Sequence, residues 1–393
     1  MRYPAIHLLP GRDRRLRAGH PWIYANEIRM DEAARAIPPG SVVALVQEGK
    51  ALALAHFNTH SLIAARTLTR NQGATIDVAF FERRLTRALR LRERLFEKPF
   101  YRLVHAEGDS LPGLVIDRFD DVLVCQLNTA GMAQAEAPLI EALRRLLAPS
   151  AVVLRNDSPV RELEGLQSEV RLASGSLDGP IEVFDNDLTF LADPLEGQKT
   201  GWYFDQRENR AFTARLAQGQ RVLDLYSYSG GFALAAAAGG AREVLAIDRS
   251  QAGLDLALAS AERNGLADRL EVRRQEAFAA LDQLAGEKQR FGLVVCDPPA
   301  FVRSKRELKS GLRGYRKLAR GAAGLLGEEG VLVIACCSHN VPLEAFAEEA
   351  WRGVREAGRG GRLLRQAGAG SDHPAPPALP EATYLKCLTY TIE

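Results

Sequence analysis

The sequence predicts a multidomain α/β chain ending in a Rossmann-like doubly wound domain, and three observations carry that prediction. Val222-Leu223-Asp224-Leu225 is an apolar run that stops in the turn Tyr226 to Phe232, continues as an Ala-rich helix and returns as Val244-Leu245-Ala246-Ile247-Asp248. Two further apolar runs, Leu293 to Cys296 and Val331 to Cys336, stop at Asp297-Pro298-Pro299 and Cys337-Ser338-His339. From about Asp185 to the C-terminus, strands alternate with helices, the pattern of a parallel sheet covered by helices. Such sheets bind ligands where the strands end, because helix N-termini and loop amides converge there. The spacing from Arg221 to Asp248 therefore marks a nucleotide-cofactor site.

Ahead of that domain the pattern differs. A chain of 393 residues exceeds one ordinary core, so two or three domains are expected. Val42 to Val46 and Ala51 to Ala55 flank the hairpin turn Gln47-Glu48-Gly49-Lys50, and Ile63 to Leu68 supplies another strand. A small all-β module is expected over residues 1–70. Asp77 to Lys98 carries apolar residues at helical spacing, with Arg on its other faces, and Pro99 ends it. Strands at Leu114 to Asp117, Val122 to Leu127 and Ala151 to Arg155, with a helix over Gln134 to Leu147, then make residues 71–184 a linker helix and an α+β domain. Residues 185–393 form the doubly wound domain, with a Gly-, Ala- and Pro-rich loop from Gln366 to Pro380 before a last strand over Tyr384 to Thr391.

The glycine pattern selects the cofactor. A dinucleotide turn needs G-x-G-x-x-G for close approach to a pyrophosphate, and Ser229-Gly230-Gly231-Phe232 lacks it. Asp224 at the strand tip would repel a pyrophosphate but suits a sulfonium or an amino group. Asp248 is placed to accept two ribose hydroxyls. A positively charged nucleoside satisfies both acids, so S-adenosylmethionine is preferred over NAD.

Five cysteines without C-x-x-C spacing suggest neither a disulfide framework nor a zinc site. With no bilayer-length apolar run and no signal-peptide core at Met1-Arg2-Tyr3-Pro4, a reducing, cytoplasmic location is expected. The net charge of +2 hides segregation: Met1 to Met30 carries +4, His60 to Arg102 carries +6 and Arg303 to Lys317 carries +6. Three basic blocks in a nearly neutral chain suggest a face for a polyanion.

Asp297-Pro298-Pro299-Ala300-Phe301 is a stiff turn, since two prolines fix φ and remove two donors. Its acid and spare carbonyls suit the amine and ring nitrogen of a base, on which Phe301 could stack. Cys296 and Cys336, inside apolar runs, read as core residues. Cys337, last in its strand and beside Ser338 and His339, reads as a nucleophile with thiolate character. One reaction needs such a thiolate: carbon 5 of cytosine is too weak a nucleophile to take a methyl group until a thiolate adds to carbon 6. Cys337 would make that addition and Asp297 would stabilise the adduct. The base for the carbon-5 proton stays open among water, His339 and a second carboxylate.

Gly197-Gln198-Lys199-Thr200-Gly201-Trp202-Tyr203-Phe204-Asp205-Gln206-Arg207-Glu208-Asn209-Arg210, the Tyr226 to Phe232 turn, Asp297 to Phe301 and Cys337 to His339 resemble a known family. It is that of the PUA-domain-containing class I S-adenosylmethionine-dependent methyltransferases related to the large-subunit (23S) ribosomal RNA 5-methylcytosine methyltransferase I. Arg17 to Tyr24 is similar to the start of its N-terminal PUA domain, and Gly108 to Leu114 and Arg155 to Leu166 to its central domain. The resemblance implies a PUA-like RNA-binding β-barrel, a central α+β domain and a Rossmann-like catalytic domain. The implied substrate is cytosine in 23S rRNA or a large-subunit assembly intermediate, and a homodimer is expected from the resemblance alone. Cofactor positions matching the family are Phe204, Arg207, Asp224, Ser227, Tyr228, Ser229, Gly230, Asp248, Arg249 and Asp297. Glu276-Ala277 stands where the family has Asp-Ala, which assigns Glu276 and Ala277 to the adenine. Lys199, Pro298, Phe301, Lys305 and Arg313 are the expected substrate contacts.

Two rivals follow from the same residues. An enzyme of this fold that methylates a base nitrogen needs no cysteine, and Cys337 argues against it. A non-catalytic RNA-binding or ribosome-assembly factor would not need Asp224, Asp248 and Asp297.

Overall fold

The computed structural model describes residues 3–393; Arg2, part of the first basic block, lies outside them. The chain divides into two compact units. The first comprises Met1–Ile181, Asp193–Trp202 and Ser371–Ala382, and the second Glu182–Ala192, Tyr203–Gly370 and Thr383–Glu393.

The first unit begins with strand β1 (Ala5–His7), the single-turn helix α1 (Arg14–Arg17), β2 (Trp22–Ile23), the single-turn α2 (Glu32–Arg35), β3 (Val42–Gln47), β4 (Lys50–Phe57) and β5 (Ala65–Thr69). They form a five-stranded sheet in the order β1-β3-β4-β5-β2. The β3–β4 hairpin turns on Glu48 (φ 50°) and Gly49 (φ 78°), the two left-handed residues that a tight hairpin requires. The fifth strand starts at Ala65 rather than the expected Ile63, because residues 61–63 bend before entering the sheet.

Helix α3 (Val78–Leu95) opens on an Asp77 side chain that accepts from the Phe80 N–H. It is shorter than the expected Asp77 to Lys98: Phe96 is already extended. Its buried stripe is Phe80, Phe81, Leu85, Ala88, Leu89 and, against expectation, Arg92. Arg92 is tolerated there because its donors are satisfied. Nε reaches the Arg102 carbonyl, Nη1 and Nη2 grip Asp109 at 2.6 and 2.8 Å, and Nη2 also meets the Asp372 carbonyl.

Strands β6 (Phe100–His105), β7 (Leu114–Phe119), β8 (Val122–Leu127), β9 (Ala151–Asn156) and β10 (Glu169–Gly175) make a second sheet, β10-β9-β8-β7-β6. The parallel β8–β9 pair is crossed by α4 (Ala130–Gln134) and α5 (Glu136–Leu147), two helices meeting at Ala135 where one was expected. Several arginines of the second basic block are structural. Arg66 pairs with Glu107 and Glu164, Arg92 with Asp109 and Arg102 with Asp117, all nearly buried. These three therefore do not contribute to the face for a polyanion that the charge of their block suggested. The exposed remainder on α3 is Arg83, Arg87, Arg90 and Arg94. Their spacing places them on one side of the helix.

The second unit starts with the hairpin β11 (Ile181–Asp185) and β12 (Leu188–Ala192), followed by α6 (Arg207–Ala214). The alternation expected from the apolar runs then appears: β13 (Arg221–Leu225), α7 (Gly231–Ala238), β14 (Glu243–Asp248), α8 (Gln251–Arg263), β15 (Leu270–Arg274), α9 (Ala277–Gly286), β16 (Phe291–Cys296), α10 (Leu308–Gly324), β17 (Leu326–Cys336) and α11 (Leu343–Glu356). It closes with β18 (Gly361–Ala367) and β19 (Lys386–Ile392). The sheet order is β15-β14-β13-β16-β17-β19-β18, with β19 antiparallel to both neighbours. Strand order reverses between β13 and β16, so Asp224 and Asp297 end adjacent strands at the switch point. Leu223, Leu225, Val294, Cys296, Leu332, Ile334 and Cys336 fill the core beneath. Among the described residues, no helix is long and apolar enough to cross a membrane.

Candidate active site at the strand ends

The turn after β13 is built from left-handed residues in alternation: Tyr226 (φ 65°), Tyr228 (φ 48°) and Gly230 (φ 79°). Each tyrosine gives up about 1–2 kcal/mol in that conformation, a cost that persists only where surrounding structure enforces it. Gly230 could carry no side chain there, since a Cβ would lie 2.6 Å from Leu234 and 2.8 Å from Ala257. The turn lets α7 start directly above Asp224, with Ser229 and Tyr228 both buried.

Asp224 is 1% exposed. Oδ2 accepts from the Ser227 hydroxyl at 2.7 Å, whereas Oδ1 has no hydrogen-bond partner among the described residues. Burial pushes its pKa up to about 7; the Ser227 bond opposes the shift, and the charge of Asp297 adds to it. Relative to an ordinary aspartate at 3.8, ionisation of this carboxyl costs on the order of 4 kcal/mol in the ligand-free protein. A cationic donor at Oδ1 would recover that cost.

Asp248, half-buried at the end of β14, accepts the Tyr228 N–H on Oδ2 (3.0 Å) and the Ser250 N–H on Oδ1 (2.8 Å). Both bonds hold the carboxylate flat across the strand end while each oxygen keeps a second lone pair. Arg249 is exposed, and its charge, with those of Asp248 and Glu276, reaches the Tyr226 phenol. Glu276 caps α9 by accepting the Ala279 N–H at 2.9 Å, which places Ala277 as the buried first residue of that helix. Phe204 is fully buried. Arg207 stacks 5.0 Å above its ring and bonds Asp185 at 2.9 Å, so this pair sits in a packed ion-pair cluster with Arg210.

Across the switch point, Asp297 Oδ1 accepts from Gln206 Nε2 at 2.9 Å. Cys337 is half-buried, one residue past the end of β17 rather than within it, and its thiol lies 3.8 Å from the Pro298 carbonyl, which accepts from it. Cys336 points into the core, where burial raises its pKa. Phe301 packs against Tyr315 at 4.7 Å and is flanked by Phe278 and Tyr226, so its ring is part of an aromatic cluster. Lys305 and Arg313 are exposed, on the turn before α10 and on α10 itself. Lys199 is exposed in the segment 193–202, which belongs to the first unit.

Several neighbours escaped the sequence reading. Lys386, opposite Cys336 in the β17–β19 register, donates to the Ser338 carbonyl at 2.7 Å and the Tyr384 carbonyl at 2.9 Å. Burial lowers its pKa, and the neighbouring Cys336 and Cys337 sulfurs offset that only in part. Gln206 and Asp205 are buried, and Asp205 accepts from the Tyr384 hydroxyl at 2.5 Å. Their only trace in the sequence is membership of the long Gly197 to Arg210 block.

This sheet order, with a strained turn over one carboxylate and a second carboxylate closing the next strand, is that of methyltransferases using S-adenosylmethionine. The chain belongs to the S-adenosylmethionine-dependent methyltransferase family, which it matches over residues 102–363, and it matches the PUA-like domain family over residues 6–70. Two curated relatives are both named ribosomal RNA large subunit methyltransferase I. The Erwinia tasmaniensis protein is 36% identical over 384 residues, covering 96% of this chain and 97% of its own. The Klebsiella pneumoniae (strain 342) protein is 37% identical over 395 residues, covering 98% and 97%. A solved Streptococcus mutans structure described as a SAM-dependent methyltransferase superposes with a TM-score of 0.83 at 20% identity, over 99% of this chain and all of that one. That likeness carries the fold.

The cofactor is thus S-adenosylmethionine, and the orphaned Asp224 oxygen and the splayed Asp248 carboxylate fit its cationic and ribose groups. A group that must ionise to bind a cation links affinity to pH. S-adenosylmethionine should bind more tightly as pH rises from 6 to 8, levelling off above 7, with up to one proton released at pH 6. Titration calorimetry in two buffers of different ionisation heat measures this. Asp224→Asn should weaken binding, flatten the pH dependence and raise the melting temperature of the ligand-free protein at pH 8. Binding by the wild type without proton release at pH 6 would remove Asp224 as the cation's partner.

Proposed function

We propose that this protein methylates carbon 5 of a cytosine in large-subunit ribosomal RNA through a covalent adduct of Cys337. The observation that carries the reading is the placement of the Cys337 thiol 3.8 Å from the Pro298 carbonyl, on the turn that also presents Asp297. Nucleophile and acid thereby flank one edge of the sheet, beside Asp224.

The chain's own groups would act as follows. Lys386, its ammonium tied to the Ser338 carbonyl next to Cys337, favours the thiolate over the thiol. The thiolate adds to carbon 6 of the base, and the electron pair of the 5,6 double bond moves to carbon 5. Asp297 holds the base edge, and its carboxylic acid form would donate a proton to the ring nitrogen as negative charge develops there, taking it back when the double bond re-forms. Bound S-adenosylmethionine supplies an electrophilic methyl group on a sulfonium. A base then takes the carbon-5 proton, the double bond re-forms and Cys337 leaves as thiolate, restoring the enzyme. His339 is exposed with its ring 5.2 Å from that of Tyr384.

The ribosomal RNA substrate comes from the names of the relatives. Its support in this chain is the stripe of Arg83, Arg87, Arg90 and Arg94 on α3, none with a carboxylate within ion-pair distance among the described residues. Lys305, Lys309 and Arg313 add exposed charge near the start of α10.

Methyl transfer from labelled S-adenosylmethionine to unmodified 23S rRNA, followed by nucleoside mass spectrometry, should yield 5-methylcytidine. Cys337→Ala should lose the product while keeping cofactor affinity. A methylated purine, or an active Cys337→Ala variant, would replace this reading with nitrogen methylation. For the RNA face, changing the four α3 arginines to Gln should reduce the slope of log K against log salt by about 3. The corresponding change at Lys305, Lys309 and Arg313 should reduce it by about 2. An unchanged slope removes that patch from the interface.

A further inference from the structure

The β16–β17 ladder ends at Cys296 opposite Ile334. Past that pair the two chains leave the sheet as residues 297–303 and 337–341, and side chains take over from the ladder in holding them together. The Cys337 thiol donates to the Pro298 carbonyl at 3.8 Å, the Ser338 hydroxyl to the Val302 carbonyl at 2.5 Å, and Asn340 Nδ2 to the Arg303 carbonyl at 3.2 Å. Each bond can run only one way, because a carbonyl has no donor to offer. The Ser338 hydroxyl also accepts the Asn340 N–H at 3.3 Å, so it serves as donor and acceptor at once. Ser338 is 3% exposed and Val302 1%, so water cannot replace a lost partner at little cost. From the other side α10 presses on the same turn: a Cβ at Gly311 would lie 2.3 Å from Val302 Cγ2 and 2.7 Å from the Phe301 carbonyl oxygen. The turn is thus held between helix and loop.

We infer that Ser338 and Asn340 are positioning residues that clamp Cys337 against the turn of residues 297–303, setting the spacing between the thiol and carbon 6 of a base held on that turn. The inference rests on the reading of Cys337 as the nucleophile and Asp297 as the group that holds the base. Addition needs the sulfur about 3–3.5 Å from carbon 6 and over the face of the ring, and a misplacement of about 1 Å costs on the order of a hundredfold in rate. Cys337 lies one residue past the end of β17 and beyond the last β16–β17 pair, so strand pairing alone does not set that spacing. The role differs from that of Lys386. Lys386 brings a charge to the Ser338 carbonyl at 2.7 Å, whereas the Ser338 hydroxyl and the Asn340 amide are neutral and reach across to carbonyls of the opposite turn. They act on where the sulfur sits, and Lys386 on how readily it ionises.

The test is single-turnover adduct formation with target RNA carrying 5-fluorocytidine at saturating S-adenosylmethionine, run beside alkylation of Cys337 by iodoacetamide without RNA, read by peptide mass spectrometry. Ser338→Ala should slow adduct formation about tenfold and Asn340→Ala about threefold, while alkylation rate, its pH profile and cofactor affinity stay within about twofold of wild type. Ser338→Thr, which keeps the hydroxyl, should recover most of the loss. Melting temperature identifies any variant that has lost its fold, and the less buried Asn340 position decides if Ser338→Ala is one of them. A folded Ser338→Ala protein that forms the adduct at the wild-type rate reduces these bonds to packing and overturns the inference. One whose alkylation slows in parallel makes Ser338 a thiol-activating group and overturns it as well. The wild type is measured first: if it binds this RNA and forms no adduct, the reading of Cys337 as nucleophile fails and takes the clamp with it.

Discussion

Two buried or half-buried carboxylates on adjacent parallel strands govern this structure. Asp224, one residue before the end of β13, and Asp297, one past the end of the adjacent β16, lie close enough that the Asp297 charge makes ionisation of Asp224 harder. Ser227 and Gln206 each provide a hydrogen bond, but among the described residues the Oδ1 atom of Asp224 has no hydrogen-bond partner. A fold selected for stability alone would not keep that arrangement. A cationic nucleoside bound at this edge would relieve its charge, and the Tyr226-Tyr228-Gly230 turn of left-handed residues leads from β13 into α7 beside it.

Around that edge, the two halves of the chemistry come from different parts of the sheet. The cofactor side is local: Asp224, the turn and Asp248 lie within one β-α-β unit. The proposed base-handling side gathers remote residues. Cys337 and Pro298 follow neighbouring strands of the sheet, Gln206 comes from the segment before α6, and Lys386 from the antiparallel strand β19. In the proposed mechanism the reversed final strands do more than close the sheet, since β19 sets Lys386 beside the Cys337-Ser338 segment.

What was legible in the sequence follows the same division. β13, β14, β16 and β17 are buried on both faces and read as continuous apolar runs, so the cofactor unit and the two strand-end motifs could be located within a residue or two. The single-residue misplacement of Cys337 arises because strand ends depend on pairing, which sequence does not display. β18 was not seen: its Leu363 and Leu364 are each 49% exposed, and an edge strand of mixed Arg and Leu lacks the apolar signature. Charge counting failed for a different reason. Arg66, Arg92 and Arg102 are internal, paired with acids 41, 17 and 15 residues away, and no local window reveals such partners. Lys386 is a lone lysine in an apolar strand, ordinary until the register sets it opposite Cys336.

The central claim is that Cys337 bonds covalently to the base, and trapping that bond tests it most directly. Target RNA carrying 5-fluorocytidine retains the carbon-6 electrophile, but its fluorine cannot leave as the carbon-5 proton does. With S-adenosylmethionine present, denaturing gels and peptide mass spectrometry should show a stable one-to-one protein–RNA adduct through Cys337. Binding of that RNA with methyl transfer elsewhere on it and no adduct would contradict the account and make the thiol a structural neighbour of the Pro298 turn.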